Sequence, residues 1–202
     1  MVDPTPDLPG LVFWGEASLM EPQPAVSAED IAAEDWSDRL DTLARCMDAY
    51  GGIGIAAPQI GWAARVFCLG ISGVNDRYPD AEAFPLQFWI NPVIDASSGS
   101  CWAWEGCLSV PGLRGWVSRP AEIEVSGLNA HGEPVAARLD GFAARVFQHE
   151  LDHLDGILMP MRITDPRFLL SDALLAKRDS WQPHWPSTGA FSTQPGRTSL
   201  ER

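Results

Sequence analysis

The stretch Gln148–Gly156, QHELDHLDG, restricts this chain more than any other segment of it. His149 and His153 are four residues apart, so on an α-helix their side chains leave one face with Cβ atoms about 5–6 Å apart, within reach of a single metal ion. Glu150 cannot share the position of His149 on that ion, but it can reach water beside it, as a general base must. The pattern H-E-x-x-H is short and arises by chance, so a surface helix with solvated histidines stays open as the bland alternative until a third ligand is found.

The residues beyond this helix weaken one enzyme class. Metallopeptidases that continue as H-E-x-x-H-x-x-G-x-x-H are matched through Gly156, and then Met159 stands where the third histidine would be. A thioether is a poor ligand for a zinc or iron(II) hydrolase site. Asp165, Asp172 and Asp179 lie downstream without the glutamate pattern of the thermolysin-like group, and His184 sits in a proline-rich segment. A metallopeptidase remains the alternative enzyme. Upstream, WEGCLSVPG sets Cys107 between a glycine and Leu-Ser-Val-Pro, on an exposed turn or strand end where a thiolate can approach an ion. One cysteine and two histidines leave a tetrahedral ion one open vertex. Cys46 lies in a helical pattern and Cys68 in an apolar strand, so both are expected in the core, and Cys107 as a small buried thiol is the competing reading.

Charge and length narrow the partners. With 27 acidic against 14 basic residues and a formal net charge of -13, the surface is unsuited to neutralising nucleic-acid phosphates or coating an anionic membrane. No apolar run approaches membrane-spanning length, and MVDPTPDLPG lacks the basic and apolar segments of an export signal, so a cytoplasmic protein with reduced cysteines is expected. At 202 residues the expectation is one domain over residues 1–180, followed by a flexible, Pro/Ser/Thr-rich tail over 181–202.

Prolines 4, 6, 9, 22 and 24 make the opening thirty residues an extended arm. Ser27–Asp30 has the form of a helix cap, and Trp36, Leu40, Leu43, Met47 and Tyr50 recur at helical spacing. Strands are expected at 65–69, at 88–94 with a break at Pro92, and at 121–128, the last turning through Asn129–Gly132 into a partner at 133–139. Helical character returns from Gly141 through Leu154, and a last helix is expected from about Pro166 toward Lys177.

The segment GGIGIAAPQIG lacks the Lys-Ser/Thr ending of a phosphate-binding loop and the full glycine pattern of a dinucleotide fold. Together, Gly52–Gln59 (GIGIAAPQ), Glu105–Ser109 (EGCLS) and Gln148–Gly156 identify the chain as similar to the peptide deformylases, of the shorter type found in bacteria and organelles, over about Leu11 to Leu175. The resemblance implies an α+β fold, with short antiparallel strands wrapped around a central metal-binding helix between an N-terminal and a C-terminal helix. It implies removal of the formyl group from N-formylmethionyl nascent peptides, with release of formate. Cys107, His149 and His153 would bind one divalent ion, Fe2+ in the cell, with Zn2+, Ni2+ or Co2+ able to replace it. Glu150 would take and return the proton, while the Gln59 amide and the Leu108 backbone N–H stabilise the oxyanion. Ile53 and Gly54 would hydrogen-bond an extended peptide, and Ile53, Phe142, Val146 and the stem of Arg145 would wall an apolar pocket for methionine. Trp104 and Trp116 would shape the cleft, and Glu105, Arg114, Arg119 and Asp152 would form ion pairs behind the ligands. A monomer near the ribosome is expected, although Arg167, Lys177 and Arg178 are few cations for direct docking in so acidic a chain.

Overall fold

The computed structural model describes residues 7–73, 75, 77–78 and 81–200. Its elements follow the order α1 (Ala28–Ile31), α2 (Trp36–Ala49), β1 (Gly54–Ala56), β2 (Val66–Ile71), β3 (Phe84–Ser98), β4 (Cys101–Cys107), β5 (Val110–Arg119), β6 (Glu122–Leu128), β7 (Pro134–Asp140), α3 (Gly141–Leu154), β8 (Leu169–Ser171), α4 (Asp172–Leu175), α5 (Thr188–Ser192) and β9 (Ser199–Leu200). One antiparallel sheet has the order β1-β2-β3-β6-β7, and a second has the order β8-β5-β4-β9. The mixed, antiparallel α+β architecture expected from the sequence is the one found.

The layers follow from residue pattern. Strand β2 is buried at every position, because it is covered on both faces and has no solvent side to mark with polar residues. Val66 and Cys68 meet Leu40, Leu43 and Met47 of α2, while Phe67 and Leu69 face α3. Phe147 of α3 sits edge-on to both Phe67 and Trp89, at 5.0 and 5.1 Å between ring centroids. Helix α3 therefore spends its apolar face, Ala144, Phe147, Leu151 and Leu154, on the five-stranded sheet. Its other face carries Arg145, His149 and Asp152 toward the four-stranded sheet.

Local signals hold at several elements. Ser27 and Asp30 cap α1 reciprocally, the Asp30 N–H donating to Ser27 Oγ at 3.1 Å and the Ser27 N–H to Asp30 Oδ2 at 2.7 Å. Cys46 and Cys68 are wholly buried. The described residues of the arm preceding α1 are mostly irregular, with turns at Trp14–Gly15 and Ala17–Leu19, and they stitch distant segments together: the Val12 N–H donates to Gln59 O and the Trp14 N–H to Ser109 O, both at 2.8 Å.

Three regions depart from expectation. Pro92 does not break β3. The register slips between Ile90 and Val93, and Asn91 adopts φ 50° with its side chain bonded to both the N–H and the C=O of Val26, so the bulge absorbs the missing donor. The helix expected over 166–177 is only a 3-10 turn at Pro166–Phe168 and the four residues of α4, because Leu169–Ser171 extend to pair with Leu113–Gly115 of β5. Residues 181–200, expected as a flexible tail, are docked. Trp181 and Trp185 pack toward Trp104, whose Nε1 donates to Ala190 O at 2.9 Å, and β9 pairs with Cys101 and Trp102 of β4. Indole burial outweighs the loop-forming proline, serine and glycine in this segment.

Candidate metal centre

Two elements bring the ligands together. Helix α3 projects His149 and His153 from one face, with ring centroids 5.2 Å apart. Strand β4 ends at Cys107, where the pairing with β5 becomes irregular after Gly106 and the thiol turns toward the helix. Cys107 Sγ lies 3.3 Å from His153 Nε2, and the ligand atoms of Cys107, His149 and His153 all fall within 4.8 Å of one another. Bonds of about 2.0–2.3 Å from such donors to one tetrahedral ion require this kind of convergence. A thiolate with two imidazoles suits several first-row divalent ions. Cys107 is at a strand end as expected, but buried rather than exposed.

Behind the ligands lies a buried network of charge. Arg119 grips Glu105 with two bonds, Nε to Oε1 at 2.6 Å and Nη2 to Oε2 at 2.9 Å, while Arg145 Nη1 adds a third at 2.6 Å. Arg119 Nη1 also reaches Asp152 at 2.8 Å, and Arg162 closes on the same carboxylate from the rim. His149 Nδ1 lies 3.0 Å from Glu105 Oε2, which orients the ring and leaves Nε2 for an ion. Burial alone would push the Glu105 carboxyl up, but Arg119, His149 and Arg145 together hold it well below the usual carboxylate range.

This network corrects one of the sequence expectations and adds to another. Arg114 is not part of it: its Nε donates to Asp172 at 2.7 Å and its guanidinium covers the Tyr78 ring at 4.9 Å. Arg145 borders the cleft with its stem, but its charged end turns away from any ligand, onto Glu105 and the carbonyls of Val117 and Cys101. The usable signal was position, since Arg145 precedes His149 by one helical turn and an arginine on an inward face needs a carboxylate.

The reacting side of the centre is set by Glu150 and Gln59. Glu150 is buried, and its Oε2 has no hydrogen-bond partner. Burial pushes its carboxyl up to about 7, with His149 and Arg119 opposing. A Cβ at Gly54 would collide with the Glu150 carboxylate, so only glycine lets the β1 backbone approach this closely. Gln59 Oε1 accepts the Ala56 N–H at 2.8 Å, and its Nε2 faces Ser109 Oγ at 3.1 Å and Cys107 Sγ at 3.9 Å. The amide is thereby fixed with its donor toward the metal site.

The cleft beside these groups is lined by Ile53, Gly54, Leu108, Phe142 and Val146, with Tyr78 also in its wall. Among the described residues strand β1 ends its sheet, pairing with β2 on one side only, and with the Ala56 N–H taken by Gln59 its other edge is unpaired at Gly54, where an extended chain can dock. Trp104 borders the cleft, whereas Trp116 packs against Trp104 at 5.3 Å within the aromatic cluster. Tyr78 was missed from the sequence because no motif contains it.

A family model described as polypeptide deformylase matches residues 11–168. The chain is similar to peptide deformylase 2 of Ralstonia nicotianae, 50% identical over 129 residues that cover 63% of this chain and 70% of that protein. Peptide deformylase 2 of Pseudomonas syringae pv. tomato is 40% identical over 171 residues, 84% of this chain and 95% of that protein. Among solved structures, the Met-Ala-Ser-bound class I type b peptide deformylase of Acinetobacter baumannii superposes with a TM-score of 0.74 at 38% identity, covering 79% and 100% of the two chains. The actinonin complex of the Synechococcus elongatus enzyme gives 0.69 at 29% identity, covering 82% and 87%.

Proposed function

This chain belongs to the polypeptide deformylase family, metal-dependent hydrolases that remove N-terminal formyl groups, and we propose that it acts on N-formylmethionyl peptides with Cys107, His149 and His153 as ligands and Glu150 as its proton carrier. The observation that carries this reading is the unpartnered carboxylate oxygen of Glu150 beside three converging ligand atoms. A divalent ion held there supplies Lewis acidity toward water and toward the formyl oxygen.

The chain's own groups perform the rest. The β1 edge at Gly54, with Ile53 just before it, holds the peptide in extended form, and Ile53, Phe142 and Val146 receive the methionine side chain. Glu150 accepts a proton from water as its oxygen adds to the formyl carbon, then returns that proton to the nitrogen as the C–N bond breaks and formate leaves. The negative charge that develops on the formyl oxygen is met by Gln59 Nε2 and the Leu108 backbone N–H. Neutral donors suit this role because they do not compete with the ion for its ligands. Fe2+ is the ion proposed for the cell, with Zn2+, Ni2+ or Co2+ as substitutes. Among the described residues no helix is long and apolar enough to cross a membrane. We propose a cytoplasmic monomer working on nascent chains.

The test offers metal-loaded protein formyl-Met-Ala-Ser and its acetylated twin and measures free amine. Release from the formyl peptide alone is expected, with Glu150→Ala keeping its metal and losing on the order of 10²–10⁴ in rate. Failure on both peptides, or cleavage of internal bonds in casein, overturns the reading in favour of no activity or of the metallopeptidase alternative.

A further inference from the structure

Tyr78 lies in the connection between β2 and β3, outside all three sequence motifs, yet it is 6% exposed. Its hydroxyl accepts the Gly106 N–H at 3.0 Å and lies 3.4 Å from the Gly106 carbonyl, to which it donates. One hydroxyl thus satisfies both main-chain groups of the residue before Cys107, as a neighbouring strand would. Among the described residues strand β9 pairs with β4 at Cys101 and Trp102, and Tyr78 takes over farther along, at Gly106.

The ring is held as firmly as the hydroxyl. The Arg114 guanidinium lies 4.9 Å from its centroid, and Phe142 packs against it at 5.3 Å. Arg114 is itself anchored by Asp172, and it lies so close over Gly106 that a Cβ there would come within 2.9 Å of its Cζ. From behind, Gly196 backs the same connection so closely that a Cβ on it would lie 2.9 Å from Ala81 N. Tyr78 and Phe142 share the wall of the cleft that Ile53 and Val146 complete.

We propose that Tyr78 is a specificity-determining residue, whose ring closes the side-chain pocket next to Phe142 and whose hydroxyl, tied to Gly106, fixes how much room the pocket leaves. The proposal rests on the deformylase reading of this cleft. A wall held by two hydrogen bonds, a guanidinium over its ring and a tilted aromatic contact cannot retreat for a large side chain, so an unbranched, flexible methionine fits and a benzyl or indolyl group does not.

The experiment compares kcat/KM for formyl-Met-Ala-Ser and formyl-Phe-Ala-Ser in wild type, Tyr78→Phe and Tyr78→Ala, with metal content and Tm measured for each. Wild type should prefer the methionyl peptide. Tyr78→Ala should lower that preference by about tenfold or more, chiefly through a gain on the phenylalanyl peptide, and Tyr78→Phe, which keeps the ring and frees it from Gly106, by about threefold. A parallel loss on both peptides, or an unchanged ratio in a variant with full metal content, overturns the proposal while leaving the deformylase reading intact. An inactive wild type would sink that reading first. If Tyr78→Ala fails to fold, Tyr78→Phe alone decides, because an unchanged ratio there removes the role of the Gly106 bonds.

Discussion

The two walls of the cleft are built by different physics. The wall made by Arg145 and Asp152 of α3, Glu105 of β4 and Arg119 of β5 is a charge lattice, its members nearly out of water and joined by directed bonds of 2.6 to 2.9 Å. The wall made by Tyr78, Trp104 and the segment behind them is chiefly aromatic packing, with indole Nε1 to Ala190 O and tyrosine hydroxyl to Gly106 as its few polar ties. A ligand atom must be placed to within a fraction of an ångström, and directed, charge-assisted bonds do that. A side-chain pocket needs only a shape, and packing supplies it.

The largest effect should come from breaking the charged wall at its metal end. Cys107→Ser replaces a thiolate by a neutral hydroxyl, and metal bound per chain, measured by atomic emission after dialysis, should fall to a small fraction of wild type. Cys101→Ser should keep its metal, since Cys101 Sγ lies 3.3 Å from Arg145 Nη2 and takes no part in the ligand set. Equal losses in both would erase the distinction between ligand and lattice.

Next in size is Arg119→Met, which leaves Glu105 and Asp152 short of their shared counter-charge. Urea unfolding should show a loss of about 3–5 kcal/mol, the cost of stranding one partner of a buried pair. Because the folded-state pKa of Glu105 is depressed, its contribution is present above the ordinary glutamate value and is lost as pH falls through the lower folded value. The acid limb of the stability curve should therefore be steep in wild type and shallower in the variant. A loss below about 1 kcal/mol would mean that the lattice does not hold this wall.

The smallest effect is expected on the aromatic side. Trp185 is half-buried and packs edge-on to Trp181 at 5.1 Å. Trp185→Ala should lower stability by about 1–2 kcal/mol, less than a fully buried indole would cost, with metal content unchanged. Loss of metal in this variant would show that the two walls are one unit.

The same contrast decides what could be read in advance. The bounds of α3, the ligands on it and the β6–β7 turn were legible because each depends on residues a few places apart. The strand partner of Leu169–Ser171 was not, since an edge of β5 some fifty residues earlier draws it out of a helical pattern. Trp104 and Ala190 are 86 residues apart, and Tyr78 and Gly106 are 28. Tyrosine carries no mark of which main-chain groups it will cap. The position of Arg145 relative to the histidine motif places it at the cleft, and only the buried Glu105 explains why its charge points inward.

Strand β9 has a consequence for how the molecule is made. Its two residues close the edge of β4 beside Cys101 and Trp102, yet they leave the ribosome long after the β4–β5 hairpin has been synthesised. Until they dock, the β4 edge at Cys101 and Trp102 is left with unpaired N–H and C=O groups, which can template pairing with another chain. Strand β9 thus acts as a guard against intermolecular pairing at this edge of the hairpin.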